Sequence, residues 1–324
     1  MKEKKKKKID WSLDRGWQTP QILPYQRITL DPTVCVFHYG FECFEGMKAY
    51  KDARGRLRLF RPRINMERFK KSAARVALPS FDSEELLKLI AEFVQVEERF
   101  VLLKEEYSLY LRTVLMGTSG GLGVTAPTSA LLYIVASPVG EYYGEGYSGI
   151  SLEATNGSIA TRAWPGGAGR HKVGGNYAPC VAPEKTAQSH GYQQCLWLFG
   201  DDDAITEAGT MNIFISLRVS KSERFELVTP PLDGVILPGI TRDCILKLAQ
   251  EKLEHLGWLV DERKIIMVEL AAASDSGALL EIFGTGTAAI VSPVEKIKWG
   301  QKIIKCGPSE NHKAADLASL MTAG

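Results

Sequence analysis

Between residues 28 and 60 apolar and polar positions alternate, and the alternation is interrupted at turn-forming residues. The stretch Tyr50-Lys51-Asp52-Ala53-Arg54-Gly55-Arg56-Leu57-Arg58-Leu59-Phe60 predicts a hairpin, with one strand on each side of a turn around Asp52 to Gly55. The period then changes. From Asp82 or Ser83, either of which can cap a helix, Leu86, Leu87, Ile90, Phe93 and Val94 form an apolar stripe in a helix running to about Arg99. Glu84, Glu85, Lys88 and Glu92 fall on its other face. Tyr107 to Leu115 and Ala130 to Ala136 read as strands, and Ser137-Pro138-Val139-Gly140 closes this mixed region. Glu141 to Gly149 is rich in Gly and Tyr without a period, which predicts an interdomain connection. Beyond it, short β-like runs (Leu196 to Phe199, Asn212 to Leu217, Leu280 to Phe283, Ala288 to Ser292) separate helical ones. The clearest helix is Arg242 to Leu253, capped by Thr241, with Ile245, Leu248 and Leu253 on its apolar side. The expected fold is therefore a mixed α/β (α+β) protein of two domains. A small α/β domain spans 1–139, a loop 140–149, and a larger domain 150–324.

Composition supports this division. A chain of 324 residues, 45% apolar and 24% charged, suits two domains and needs no staples to bury its core. A net charge of +2 provides no global field for nucleic acid or membrane surfaces, so neither is expected as a partner. No apolar run reaches the roughly 20 residues needed to span a bilayer. The run Lys4 to Lys8 predicts a solvated, disordered tail over 1–10, with a polyanion-binding arm as the other reading. It has neither the apolar segment of a secretory signal nor the Arg/Ser pattern of a transit peptide. A cytoplasmic protein is expected, with mitochondria left open for a chain whose presequence has been removed. Cys35, Cys43, Cys180, Cys195, Cys244 and Cys306 lack CxxC or metal-like spacing, which suits reduced thiols in a reducing compartment. Asn156-Gly157-Ser158 reads as a turn.

Four segments carry candidate chemistry. Lys172 lies in Arg162-Ala163-Trp164-Pro165-Gly166-Gly167-Ala168-Gly169-Arg170-His171-Lys172-Val173-Gly174-Gly175-Asn176-Tyr177. A lysine among glycines is either a surface loop lysine or one whose backbone a flat aldehyde cofactor must approach closely. Leu237-Pro238-Gly239-Ile240-Thr241-Arg242-Asp243 puts a Pro-Gly turn at a helix start, where free amides and the helix dipole suit a phosphate; an ordinary capped helix is the alternative. Gly284-Thr285-Gly286-Thr287-Ala288 follows a strand and offers a second small-residue anion nest. Neither is a Walker loop or a dinucleotide fingerprint. In Ile205-Thr206-Glu207-Ala208-Gly209-Thr210-Met211-Asn212, Glu207 is either a solvated turn carboxylate or one that keeps a heterocyclic nitrogen protonated.

These segments occur in this order in one family. From about Pro24 to Pro308 the chain resembles the branched-chain amino acid aminotransferases, fold-type IV pyridoxal-phosphate enzymes, with a eukaryotic, fungal-like character. Further motifs carry the resemblance: Phe37 to Tyr50, Phe60-Arg61-Pro62 with Asn65-Met66-Glu67-Arg68, Tyr107 to Arg112, and Thr229-Pro230-Pro231-Leu232-Asp233-Gly234. The resemblance implies a homodimer with its active site between two domains. The cofactor would be pyridoxal 5'-phosphate, and the substrates small amino acids and 2-oxo acids: leucine, isoleucine or valine with 2-oxoglutarate. It further implies that Lys172 carries the cofactor and moves the α-proton, that Glu207 partners the pyridine nitrogen, and that Tyr177 donates to the phenolate oxygen. Arg68, the backbone at Ile240 and Thr241, and Thr287 would hold the phosphate. Tyr39, Phe44, Tyr110, Tyr142, Thr210 and Ala288 would line the substrate site. Arg112 would orient Tyr39 or bias the site towards the carboxylate, and Leu122 and Val124 would reach across the dimer interface.

There are departures from the family. The positions of the mammalian CxxC pair hold Ala289 and Ser292, so no such redox switch is expected. Thr113 replaces a frequent proline. Arg170-His171 stands where relatives have smaller or acidic residues, and His171 is expected at the surface or beside the cofactor. The chain ends at Gly324, short of the C-terminal segment common in relatives. Competing activities on the same fold are D-amino-acid or amine transamination and the aminodeoxychorismate lyase reaction; a non-catalytic scaffold is the rival from another class.

Overall fold

The computed structural model describes residues 4–104, 107–140, 149–158, 160–219 and 224–306. Most of the expected interdomain connection, from Glu141 onwards, lies outside the described residues. Two compact units emerge, one formed by Met1–Tyr142 with His171–Tyr177, the other by Tyr143–Arg170 with Ala178–Gly324. The short segment that carries Lys172 thus clusters with the first unit, although its sequence neighbours on both sides belong to the second.

The first unit contains β1 (Lys5–Ser12), β2 (Gly16–Trp17), β3 (Gln21–Pro24), α1 (Cys35–Tyr39), β4 (Glu42–Lys51), β5 (Leu57–Leu59), α2 (Pro62–Arg75), α3 (Ser83–Val96), β6 (Ser108–Gly117) and β7 (Ser129–Val139). Its strands form one antiparallel sheet in the order β2-β1-β7-β6-β4-β5, with β3 also on β1. The expected hairpin is present: the Asp52 amide donates to Arg56 O, and Gly55 supplies the left-handed φ of +74° that the turn requires. The α3 helix begins as expected, with the Asp82 carboxylate accepting from the Glu85 amide at 2.9 Å, and buries Leu86, Ile90, Phe93 and Val94. Helix α2 packs on β4 and α3. Seven consecutive β4 residues, Cys43 to Ala49, are buried, so this strand is covered on both faces.

The lysine run departs from expectation. Lys5 to Lys8 lie within β1, paired with β7 on one side and β3 on the other. Lys7 is fully buried, its ammonium donating to Leu89 O at 3.0 Å and Glu92 Oε2 at 2.5 Å, and Lys6 donates to Gln26 O at 3.0 Å. The lysine stems are long and apolar, so each can lie in the fold while its charged tip finds a carbonyl or carboxylate. A tail is ruled out because backbone pairing on both edges outweighs the polarity of the side chains.

The second unit contains β8 (Ile150–Ala154), α4 (Val181–Ser189), β9 (Gln194–Phe199), β10 (Ala204–Ala208), β11 (Met211–Arg218), β12 (Phe225–Thr229), α5 (Ile240–Leu253), β13 (Trp258–Glu262), α6 (Met267–Asp275), β14 (Leu279–Thr285), β15 (Val291–Trp299) and β16 (Lys302–Lys305). The sheet order is β10-β9-β8-β15-β14-β11-β12-β13, and β10 pairs with β11 as well. That extra pairing closes six strands into a ring. Ile150, Leu152, Leu196, Ile213, Ile215, Met267 and Leu270 belong to one buried cluster of this unit, while Ile245, Ala249 and Leu253 of α5 pack with Phe214, Leu227 and Phe283. Two local expectations are corrected. Gly239, not Thr241, is the N-cap of α5, and Thr241 is buried inside the first turn because the Pro238-Gly239 turn already supplies the extended entry. The strand expected from Ala288 starts only at Val291, after a bend over 286–290.

Candidate active site

In the first unit, the Lys172 segment is docked edge-on to β4. Cys43 and Val173 form an isolated β-bridge, and the Phe44 amide donates to Lys172 O at 3.0 Å. The Lys172 amide in turn donates to Ser72 Oγ of α2 at 2.8 Å. A Cβ at Gly174 would stand 2.1 Å from Glu42 Oε2, so a larger residue here would have to push that carboxylate aside. Held this way, Lys172 Nζ lies 3.0 Å from Tyr177 Oη and 4.9 Å from the centre of the Phe44 ring. Desolvation is the main reason its amine is pushed down to about 8; the nearby Arg68 and Arg112 cations act in the same direction, and Glu45 and Tyr110 oppose them. About a tenth of this amine is therefore neutral, and nucleophilic, at pH 7, far more than for a lysine in water.

Arg68 is buried and faces Glu45, with Nε to Oε1 at 2.7 Å and Nη2 to Oε2 at 3.0 Å. Asn65 Nδ2 adds a third donor to Glu45 Oε2 at 2.8 Å. The two-pronged pair sets the plane of the guanidinium. Arg112 does not orient Tyr39 as expected: its Nη2 donates to Tyr110 Oη at 3.0 Å, and its guanidinium stacks 4.6 Å from the Phe44 ring centre. The reason is strand geometry, since residues i and i+2 of β6 share a face. Tyr39 instead donates to the Leu122 carbonyl. Leu122 and Val124 are 69% and 70% exposed. His171 is buried rather than at the surface, its carbonyl accepting from Asn176 Nδ2 at 3.0 Å. Lys172, Tyr177, Phe44, Arg68, Tyr110 and Arg112 thus share one neighbourhood, whereas Tyr142 lies outside the described residues.

In the second unit, Glu207 sits on β10, buried and doubly held. Arg162 Nη1 lies 2.6 Å from Oε2, and Asn212 Nδ2 donates to Oε1 at 3.1 Å. The solvated-turn reading of Glu207 is therefore excluded. Asn212 also donates to Leu237 O at 2.9 Å, in the turn before α5. That helix start presents backbone amides, because the N-cap is glycine and no side chain caps the first turn. Ile240 and Thr241 are buried there, and Thr287 lies in the bend after β14. Thr210 and Ala288 are exposed.

Sequence motifs do not single out four residues of these clusters: Glu45, Ser72, Arg162 and Asn212. Arg162 lies inside the glycine-rich motif, and Asn212 five residues beyond Glu207, but neither spacing by itself indicates a contact with Glu207.

A family profile described as "Amino-transferase class IV" matches residues 42–297. The cytosolic branched-chain-amino-acid aminotransferase of Saccharomyces cerevisiae is 53% identical over 295 residues, covering 91% of this chain and 78% of that protein. The chain belongs to the branched-chain-amino-acid aminotransferases. The mitochondrial enzyme of the same yeast is 51% identical over 296 residues, covering 91% of this chain and 75% of its own length. Among solved structures, the branched-chain amino acid aminotransferase from Escherichia coli superimposes with a TM-score of 0.74 at 26% identity, covering 99% of this chain and 93% of that one. A second structure of this kind, from the source abbreviated T.th., holds pyridoxamine 5'-phosphate and superimposes with a TM-score of 0.72, also at 26% identity and with the same coverage. The fold-type IV α/β architecture expected from the motifs is thus that of the family.

Proposed function

We propose that the protein transaminates leucine, isoleucine or valine with 2-oxoglutarate, using pyridoxal 5'-phosphate. The observation that carries this reading is the Lys172 amine, desolvated to about 8 and hydrogen-bonded to Tyr177, in a member of this aminotransferase family. The residues present fit the cofactor. The amine is poised to react with an aldehyde, Glu207 is a buried acceptor, and the uncapped start of α5 suits a phosphate. When bound, the cofactor supplies the carbonyl that receives the amino group and the ring that absorbs the electrons released at Cα.

The chain's own part is binding and proton movement. Lys172 Nζ would take the proton from the Cα of the donor amino acid and pass it to the cofactor. In the second half-reaction it would deliver a proton to the Cα of the new amino acid, a task suited to an amine brought down to about 8. Glu207 accepts from the ring nitrogen, and Tyr177 Oη donates to the ring oxygen. Arg68, the backbone at Ile240 and Thr241, and Thr287 hold the phosphate. Tyr39, Phe44, Tyr110, Tyr142, Thr210 and Ala288 accommodate the aliphatic side chain, with Arg112 favouring the carboxylate.

The exposed Leu122, whose carbonyl accepts from Tyr39, and the exposed Val124 support a homodimer. The family occurs in both compartments in yeast, and we assign this chain to the cytoplasm with the 53% identical cytosolic form. Cell fractionation tests that assignment, and recovery in mitochondria would overturn it. The activity test is a substrate panel of L-leucine, L-isoleucine, L-valine, D-alanine and a chiral amine. Turnover of the branched L-amino acids and a visible absorbance lost in Lys172→Ala are expected; no turnover of any branched L-amino acid would sink the proposal.

A further inference from the structure

Asn212 occupies a position that the reaction described so far does not use. Its backbone sits on β11, in register with Glu207 of β10 on one side and with Thr285 of β14 on the other. Its side chain is buried, and its amide nitrogen makes two hydrogen bonds: one goes to Glu207 Oε1 at 3.1 Å, the other to Leu237 O at 2.9 Å. Its Oδ1 lies against the Cα of Gly239, so closely that a Cβ there would stand 1.9 Å away. The two acceptors lie about 30 residues apart in sequence and belong to different parts of the proposed cofactor site. Glu207 is the proposed partner of the ring nitrogen. Leu237 begins the turn whose next residues, Pro238 and Gly239, lead into the first turn of α5, the proposed phosphate seat.

We propose that Asn212 is a positioning residue that sets the spacing between the carboxylate for the cofactor ring and the turn for the cofactor phosphate. The inference rests on the roles proposed for Glu207 and for the start of α5. A planar amide with two donors in fixed directions suits this task. It orients the carboxylate without competing for it as a second charge would, and it ties the turn to the same rigid strand. Gly239 belongs to the device: with no Cβ, the turn can approach the amide. Arg162 faces the other carboxylate oxygen at 2.6 Å and reaches Val235 O at 3.4 Å, a longer contact made two residues before Leu237.

The test compares parent, Asn212→Leu, Gly239→Ala and Glu207→Gln proteins. Two quantities are read beside activity: the apoprotein's preference for pyridoxal phosphate over pyridoxal, which lacks the phosphate, and the pH at which the visible absorbance of the holoprotein changes. Asn212→Leu should lower the preference about tenfold, the scale of losing a hydrogen bond to a charged or buried acceptor, and should also move the absorbance midpoint. Gly239→Ala should act in the same direction by displacing the amide. Glu207→Gln should move the midpoint and leave the preference near the parent's. A role confined to structure would lower stability and weaken both ligands alike, leaving preference and midpoint unmoved. A folded Asn212→Leu protein with both quantities at parent values overturns the inference, whereas a Glu207→Gln protein with an unmoved midpoint overturns the underlying role of Glu207. Should Asn212→Leu fail to fold, Asn212→Ser, smaller and still polar, takes its place: shifts in both quantities support the inference, and parent values overturn it.

Discussion

The amine of Lys172 shows how a residue acquires chemistry from its surroundings. In water a lysine is almost wholly protonated at neutral pH; here desolvation, with Arg68 next in effect, brings the amine down to about 8. Because only the neutral amine attacks an aldehyde, uptake of pyridoxal phosphate by the apoprotein should accelerate with rising pH through a midpoint near 8. Stopped-flow absorbance measures this, and a midpoint near that of free lysine would contradict it. Glu45 presents the opposite case, a carboxylate with 0% exposure that faces Arg68. Glu45→Ala would strand a buried guanidinium, so urea unfolding should show a loss of about 3–5 kcal/mol. Glu207→Ala should keep the cofactor and lose most turnover, since the acceptor that Asn212 holds in place would be gone. Among these residues, Lys172 and Glu207 stood out in the sequence as candidates, because they sit in dense motifs that the family resemblance picks up. Glu45 was not, because an acidic residue in an apolar strand has no partner until α2 is laid across it.

At the scale of the element, α2 links two parts of the site. Asn65, Arg68 and Ser72 recur at helical spacing on one face; the first two grip Glu45 and the third holds the Lys172 amide. Ser72→Ala removes an acceptor from a backbone N–H in the interior. It should cost about 1–3 kcal/mol of stability in a thermal or urea melt and slow cofactor uptake at any given pH. An unchanged melt would show that the Lys172 segment is held by its bridge to β4 alone. The periodicities behind α3 and the hairpin at Asp52 survive intact because both are local: the cap, the stripe and the turn glycine all act within a few residues. The start of α5 and the late start of β15 depart from the sequence pattern for the same reason in reverse. A threonine before a helical run looks like a cap, and only the chain path through Pro238-Gly239 moves the cap to the glycine.

For the whole molecule, the pairing of the lysine run into the sheet, with Lys6 and Lys7 buried, has the largest consequence. β1 pairs over seven residues with β7 and covers its edge. A chain lacking residues 1–12 should therefore aggregate or melt at a lower temperature, rather than behave like the parent as loss of a loose tail would; differential scanning fluorimetry and light scattering decide this. The exposed Leu122 and Val124 put the proposed dimer contact on the first unit. Leu122→Asp should shift the protein towards monomer in sedimentation velocity while leaving each monomer folded.

Taken alone, the sequence determined the family and the mixed α/β class, and it pointed to Lys172, Glu207 and two glycine-bearing turns as candidates, since motifs and short-range periodicity are properties of neighbouring residues. Tertiary structure decided what those residues touch: Glu45 under Arg68, Arg112 on Tyr110 rather than Tyr39, Asn212 between Glu207 and Leu237, and a run of lysines inside a sheet. Each of these depends on strand register or on chain segments far apart in sequence, and a side chain's environment is set by what folds against it, which no local pattern records.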